Sequence, residues 1–215
     1  MRQLTLGLFK PPPQTLDNFV PGRNAEALAV ARELAAGGGP QFVYLWGPPG
    51  SGRTHLLAAL AGRGGTAPQG EPARLHAVDD VHQLDHSGQA GLFALMNRVR
   101  ADPAAHLLAA GDRPPAQLAL REDLRSRLAW GLALALQPLS EQEKADALRE
   151  QLHLRGVRAA PDLIPYMLSR LPRDMRTLSG ALAELDAYAL QLGRALTVPL
   201  LRQWLRDPPG RMSRE

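Results

Sequence analysis

Apolar and polar positions follow two regimes along the chain. Up to about residue 138, short apolar runs alternate with longer segments whose apolar residues recur every three or four positions; beyond it only the second pattern continues. "NAEALAVARELAA", from Asn24 to Ala36, predicts a helix capped by Asn24 and stopped by Gly37-Gly38-Gly39. "QFVYLW", between Pro40 and Gly47, predicts a buried strand, and "THLLAALAG" a helix after a glycine-rich loop. "ARLHAVDD" reads as a second strand, residues 87–100 as a helix, "HLLAAGD" as a third strand, residues 121–128 as a short helix and "LALALQPL" as a fourth strand. Alternating strands and helices predict a parallel α/β sheet with helices on both faces. From Ser140-Glu-Gln-Glu143, a capping box, helices are expected to about Gly156, then near 162–171, 174–192 and 198–205.

Composition narrows the class without deciding the function. Charged residues make up 21% and hydrophobic residues 45% of the 215, and no apolar run is long enough to span a bilayer, so a membrane role is not expected. "MRQLTLGLFKPPP" lacks the apolar core and cleavage site of a secretory signal. There are no cysteines, which excludes disulfides and thiolate metal sites and makes a reducing cytoplasm the expected setting. The net charge of +4 permits nucleic-acid contact without requiring it. Nearly every basic residue is Arg, so Arg at any one position has a compositional explanation alongside a functional one.

The chemistry concentrates at strand ends. Gly47-Pro48-Pro49-Gly50-Ser51-Gly52-Arg53-Thr54 has the spacing of a phosphate-binding loop and lies between a predicted strand and a predicted helix, with His55 next in line. Glycines let backbone N–H groups turn inward around phosphates, and the helix N-terminus adds partial positive charge. Arg53 replaces the usual Lys; it keeps the charge but is bulkier and forked. Thr54 and Asp79 are the candidate Mg²⁺ ligands, and Asp80 the candidate to orient an attacking water. Asp112 ends the third strand, where it either senses a terminal phosphate or serves the turn at Pro114-Pro115. The six histidines show no metal-ligand spacing and are expected in surface or packing roles.

"TLDNFVPGRNAEALAVARELA", the glycine loop, "VDDVHQL", "AAGDRPPAQL", "LRSRLAWGLALALQPLS" and "RDMRTLSGALAELD" together resemble the AAA+ proteins of the DnaA/Hda family, nearest to its shorter Hda branch. The resemblance implies an AAA+ P-loop core at 14–138, a small helical lid at 139–207 and a disordered tail at 208–215. It also implies that Arg127 is an arginine finger presented to a neighbouring subunit's nucleotide and that Arg176 is the lid arginine that senses nucleotide. By the same match, Phe19 and Val20 line the adenine pocket. Arg127 otherwise has a plain reading as a surface partner of Glu122 and Asp123. "QLTLGLF" within 1–13 resembles a sliding-clamp peptide, with Gln3, Leu4, Leu6, Leu8 and Phe9 as its anchors, although an edge strand would show the same alternation.

The implied cofactors are ADP or ATP with Mg²⁺. The implied partners are the polymerase sliding clamp (its beta subunit) and DnaA, with DNA reached only through the clamp and self-association to a homodimer or higher homo-oligomer allowed. The implied function is an ADP-bound regulator that stimulates ATP hydrolysis by DnaA; an autonomous AAA+ ATPase and a non-catalytic clamp adaptor are the competing readings. The 55–78 connection is shorter than the family pattern, which predicts a sheet of four strands lacking one edge strand.

Overall fold

The computed structural model describes residues 13–64 and 74–206, which divide into two units, Pro13–Leu139 and the helices from Ser140 onward. In the first, α1 (Ala25–Ala35) leads to β1 (Phe42–Trp46), α2 (Arg53–Gly64), β2 (Leu75–Val78) and α3 (His86–Ala101). β3 (His106–Gly111), α4 (Glu122–Leu128) and β4 (Leu132–Ala135) follow. Among the described residues the sheet has four strands in the order β2-β3-β1-β4, every pair parallel. All four C-terminal ends therefore share one edge, the place where parallel α/β sheets bind ligands.

The strands form where the apolar runs predict them, and the side-chain period of two sorts their residues between two cores. Val43 and Leu45 of β1 and Leu108 and Ala110 of β3 pack with α1 and α2. Tyr44, Leu107 and Ala109 point the other way, into a cluster with Leu92, Met96 and Val99 of α3 and Leu124 and Leu128 of α4. β3 is buried along its whole length, as a central strand covered on both faces must be.

Asn24 departs from expectation. It precedes α1 but makes no side-chain cap. Its amide instead donates to the Gln137 carbonyl (2.8 Å) while its Oδ1 accepts from the Gln137 N–H (2.8 Å). The side chain thus closes both backbone groups of the segment leaving β4, a task no local pattern encodes.

The second unit contains α5 (Glu141–Leu154), α6 (Leu163–Arg170), α7 (Met175–Leu192) and α8 (Val198–Arg206). The Ser140 capping box is present in both directions: Ser140 Oγ accepts from the Glu143 N–H at 3.2 Å, and Glu143 Oε2 accepts from the Ser140 N–H at 2.7 Å. Asp174 caps α7 by accepting from the Thr177 N–H, and Gly193 ends it at φ +61°. The unit has its own core, in which Leu148, Leu163, Met167, Leu178, Leu185, Leu200 and Trp204 are almost wholly buried. Among the described residues no helix is long and apolar enough to cross a membrane.

Candidate nucleotide-binding site

The glycine loop leaves β1 at Trp46 and enters α2 at Arg53. Gly50 and Gly52 adopt φ +80° and +101°, a region open to glycine at little cost. Gly52 is doubly constrained, because a Cβ there would also press on the Phe19 ring. The first N–H groups of α2 have no intrahelical acceptor and face the positive end of the helix dipole. Pro48, Pro49, Gly50 and Thr54 are exposed along the loop, whereas Gly47, Ser51 and Arg53 are buried.

Phe19 is buried and packs edge-on against the His55 ring, with centroids 5.3 Å apart; Val20 beside it is half-buried. His55 Nε2 lies 2.9 Å from the Thr15 carbonyl oxygen. These contacts tie the segment before α1 to the back of the loop, so Phe19 and His55 support its shape.

At the neighbouring strand ends, Asp79 Oδ1 accepts from the Asp80 N–H at 2.8 Å, and Asp80 turns left-handed at φ +46°. It is the one non-glycine residue with positive φ among the described residues. The reversal swings Val81–Gln83, a three-residue helical turn, back over the sheet edge. His82 Nδ1 thereby comes 3.9 Å from Asp80 Oδ1 and 3.9 Å from Asp112 Oδ1. Arg53 Nη1 reaches to 3.7 Å from Asp80.

Asp112 Oδ2 accepts two hydrogen bonds from Arg113, from Nη2 at 2.8 Å and Nε at 3.1 Å. Those bonds, with smaller help from His82, hold its carboxyl below the ordinary value against a desolvation cost. Tyr44 donates its hydroxyl to the Arg113 carbonyl at 2.8 Å. Burial pushes that phenol's pKa well up, and the Asp112 charge adds to the effect.

Four buried polar atoms in this unit have no hydrogen-bond partner among the described residues: Ser51 Oγ, Arg53 Nη1, His82 Nδ1 and Asp112 Oδ1. Leaving one such group unpaired costs roughly 1–3 kcal/mol. Four of them, from the loop, the helix start, the turn after β2 and the end of β3, are expensive unless a polar ligand completes the set. Their chemistry fits a phosphate group with its cation: a hydroxyl, a guanidinium and an imidazole beside one carboxylate. No group of three His, Asp or Glu side chains among the described residues is arranged to hold a metal ion alone. Thr54 and Asp79 are the residues that would hold a Mg²⁺, which would supply positive charge to the phosphates.

His82 was not among the residues singled out by spacing. The signal available was its place two residues beyond the acidic pair, which acquires meaning only once Asp80 reverses the chain.

Arg127 lies elsewhere. It is held on the α3/α4 face, with its Cζ 3.8 Å from the Phe93 ring centroid and 4.9 Å from that of Trp130, and it donates to Asn97 Oδ1. Asp123 pairs instead with Arg121 at 2.6 Å. Arg176 is exposed in the first turn of α7, where the helix dipole disfavours a cation. Gln3, Leu4, Leu6, Leu8 and Phe9 lie outside the described residues.

Residues 141–205 match the family model described as "Hda, lid domain". The fold of the chain is that of domain III of the Thermotoga maritima replication initiation protein DnaA, with a TM-score of 0.69 at 22% identity over 91% of this chain and 97% of that one. AMPPCP-bound DnaA from Aquifex aeolicus is similar at TM-score 0.66 and 21% identity, covering 84% of this chain and 67% of that one. The Thermotoga maritima RuvB Holliday junction branch migration motor, at TM-score 0.61 and 18% identity over 90% of this chain and 72% of that one, shares the architecture. The chain thus joins a fold like that of DnaA domain III to helices that match an Hda-type lid, and it is similar to both.

Proposed function

We propose that this protein is an ADP-bound regulator that, tethered to the sliding clamp through residues 1–13, stimulates ATP hydrolysis by DnaA and so limits replication initiation. The observation that carries the reading is the position of Arg127 relative to the glycine loop. Trp130, against which Arg127 stacks, meets Phe42 at the start of β1 with ring centroids 6.2 Å apart. The glycine loop leaves the other end of the same strand, at Trp46. Four residue steps of a strand span about 13 Å. Arg127 is thus remote from its own loop, which supports a role at another molecule's nucleotide and not at its own.

In this reading Ser51, Arg53 and the start of α2 hold the phosphates of the chain's own nucleotide. Thr54 and Asp79 hold Mg²⁺, which when bound neutralises phosphate charge. Asp80 faces Arg53, and Asp112 is held from one side by Arg113. Both arrangements favour retention of nucleotide over rapid turnover. Arg127 offers two directed donors to the charge that develops on the partner's transferring phosphoryl group, a contribution of about 10³–10⁵ in rate where such fingers act.

The test combines nucleotide extraction from the purified protein with DnaA turnover measured on clamp-loaded DNA. ADP in the extract, stimulation by the wild type and its loss in Arg127→Ala are the expected results. ATP hydrolysis by the chain alone, abolished in Asp79→Ala, would make it an autonomous ATPase. Stimulation that survives Arg127→Ala but not Gln3→Ala would leave a clamp adaptor.

A further inference from the structure

The helical unit carries a second concentration of positive charge, built around two tyrosines. Tyr166 of α6 has Arg170 and Arg202 near its ring, with Cζ 5.6 Å and 5.0 Å from the centroid, and Arg202 Nε donates to its hydroxyl at 3.1 Å. On the same helix as Arg202, Gln203 donates to the Tyr188 hydroxyl (3.1 Å) and accepts from Arg194 Nη1 (3.0 Å). Pro199, Arg202, Gln203 and Arg206, at positions i, i+3, i+4 and i+7 of α8, line an open depression of about 380 Å³.

These arginines differ from others in the same unit. Arg149, Arg155 and Arg173 stand within ion-pair distance of Asp146, Asp186 and Glu141. Arg170, Arg194, Arg202 and Arg206 have no carboxylate at that distance among the described residues. The phenol of Tyr166 registers the excess: its pKa lies below the ordinary value, through the Arg202 hydrogen bond first and the Arg202 and Arg170 charges after it.

The chemistry of this face selects its partner. The side chains lining the depression include no large apolar group, so the buried apolar anchor of a protein–protein interface is missing. What they offer is guanidinium forks and amide donors, which match phosphate oxygens. The tyrosine and glutamine contacts hold Arg194 and Arg202 in place, so less side-chain freedom is lost when a ligand is bound. Interfaces with nucleic-acid backbones are polar and strongly positive in this way.

We propose that Arg170, Arg194, Arg202 and Arg206 form a docking face for the phosphate backbone of double-stranded DNA, bound without regard to sequence. The contact is direct and separate from any tether through the clamp, and it does not rest on the role given to Arg127.

The test is fluorescence anisotropy of the full chain with a labelled 30-base-pair duplex of arbitrary sequence between 50 and 200 mM salt. Each phosphate contact contributes about −0.9 to the slope of log K against log salt, so Arg202→Gln/Arg206→Gln should flatten the slope by about 2 and weaken binding at least tenfold at low salt. The charge-matched control Arg149→Gln/Arg155→Gln should bind as the wild type does, and circular dichroism should show both variants folded. A duplex of unrelated sequence should bind equally well. Wild-type protein that fails to bind at 50 mM salt overturns the proposal. So does an Arg202→Gln/Arg206→Gln variant with unchanged affinity and slope, or a control that loses as much. Polyglutamate competing as effectively as duplex, charge for charge, would make the face a general anion site and overturn the assignment to DNA.

Discussion

Arg127 sits in an aromatic cradle, and the cradle has a measurable consequence. Phe93 and Trp130 hold its guanidinium, Asn97 orients one amino group, and Arg100 lies 4.8 Å from the Trp130 ring centroid. Trp130→Ala removes one cation–π contact, worth about 0.5–1 kcal/mol at exposed sites, so if Arg127 acts as proposed, stimulation of DnaA turnover should fall roughly two- to fivefold. Trp130→Phe should restore most of it, which a loss of folding would not allow. Asp112 provides a second test at this scale. Its folded pKa lies below the unfolded 3.8, so its contribution to stability is present above about pH 4 and is lost as pH falls through the folded value. Asp112→Asn should therefore lower the urea midpoint at pH 5, and the gap to the wild type should narrow toward pH 2.

At the scale of elements, local chemistry governs the ends and distant residues govern the contacts. Ser140→Ala breaks the reciprocal cap of α5 and should cost about 1 kcal/mol, read as a lower urea midpoint for the helical unit. That cap was legible from Ser140 and Glu143 because both partners lie within one turn. The four strands were legible because their apolar runs are bounded by Gly, Pro or Asp and are too short for helices. Asn24 was misread because its partner, Gln137, is 113 positions away. Glu122 and Asp123 suggested a partnership with Arg127 by proximity, yet the guanidinium finds Phe93 and Asn97 on α3, some 30 residues upstream. His82 escaped notice because its approach to Asp112 depends on a left-handed residue, which no apolar pattern announces.

For the molecule as a whole, the two units keep separate cores, so a ligand confined to one should act on that unit first. If ADP binds at the glycine loop, 100 times its Kd should stabilise the nucleotide-binding unit by about 2.7 kcal/mol. Hydrogen exchange should then slow in β1, α2 and β3. Arg53→Ala should erase most of that protection while leaving the exchange of α5–α8 unchanged. Equal protection of both units by ADP would show that they unfold as one.

The backbone at Asp80 has a consequence for the protein's history under heat. An Asp held at φ +46° is less comfortable than Gly by up to about 1–2 kcal/mol, so the residue is kept there against a standing pressure to relax. Random libraries screened for thermal survival alone should recover Asp80→Gly repeatedly, with melting temperatures a few degrees higher and the carboxylate gone. Libraries screened for nucleotide-dependent function should purge the same change. If Asp80 serves the nucleotide as its place after β2 suggests, position 80 is one where endurance and purpose select opposite residues.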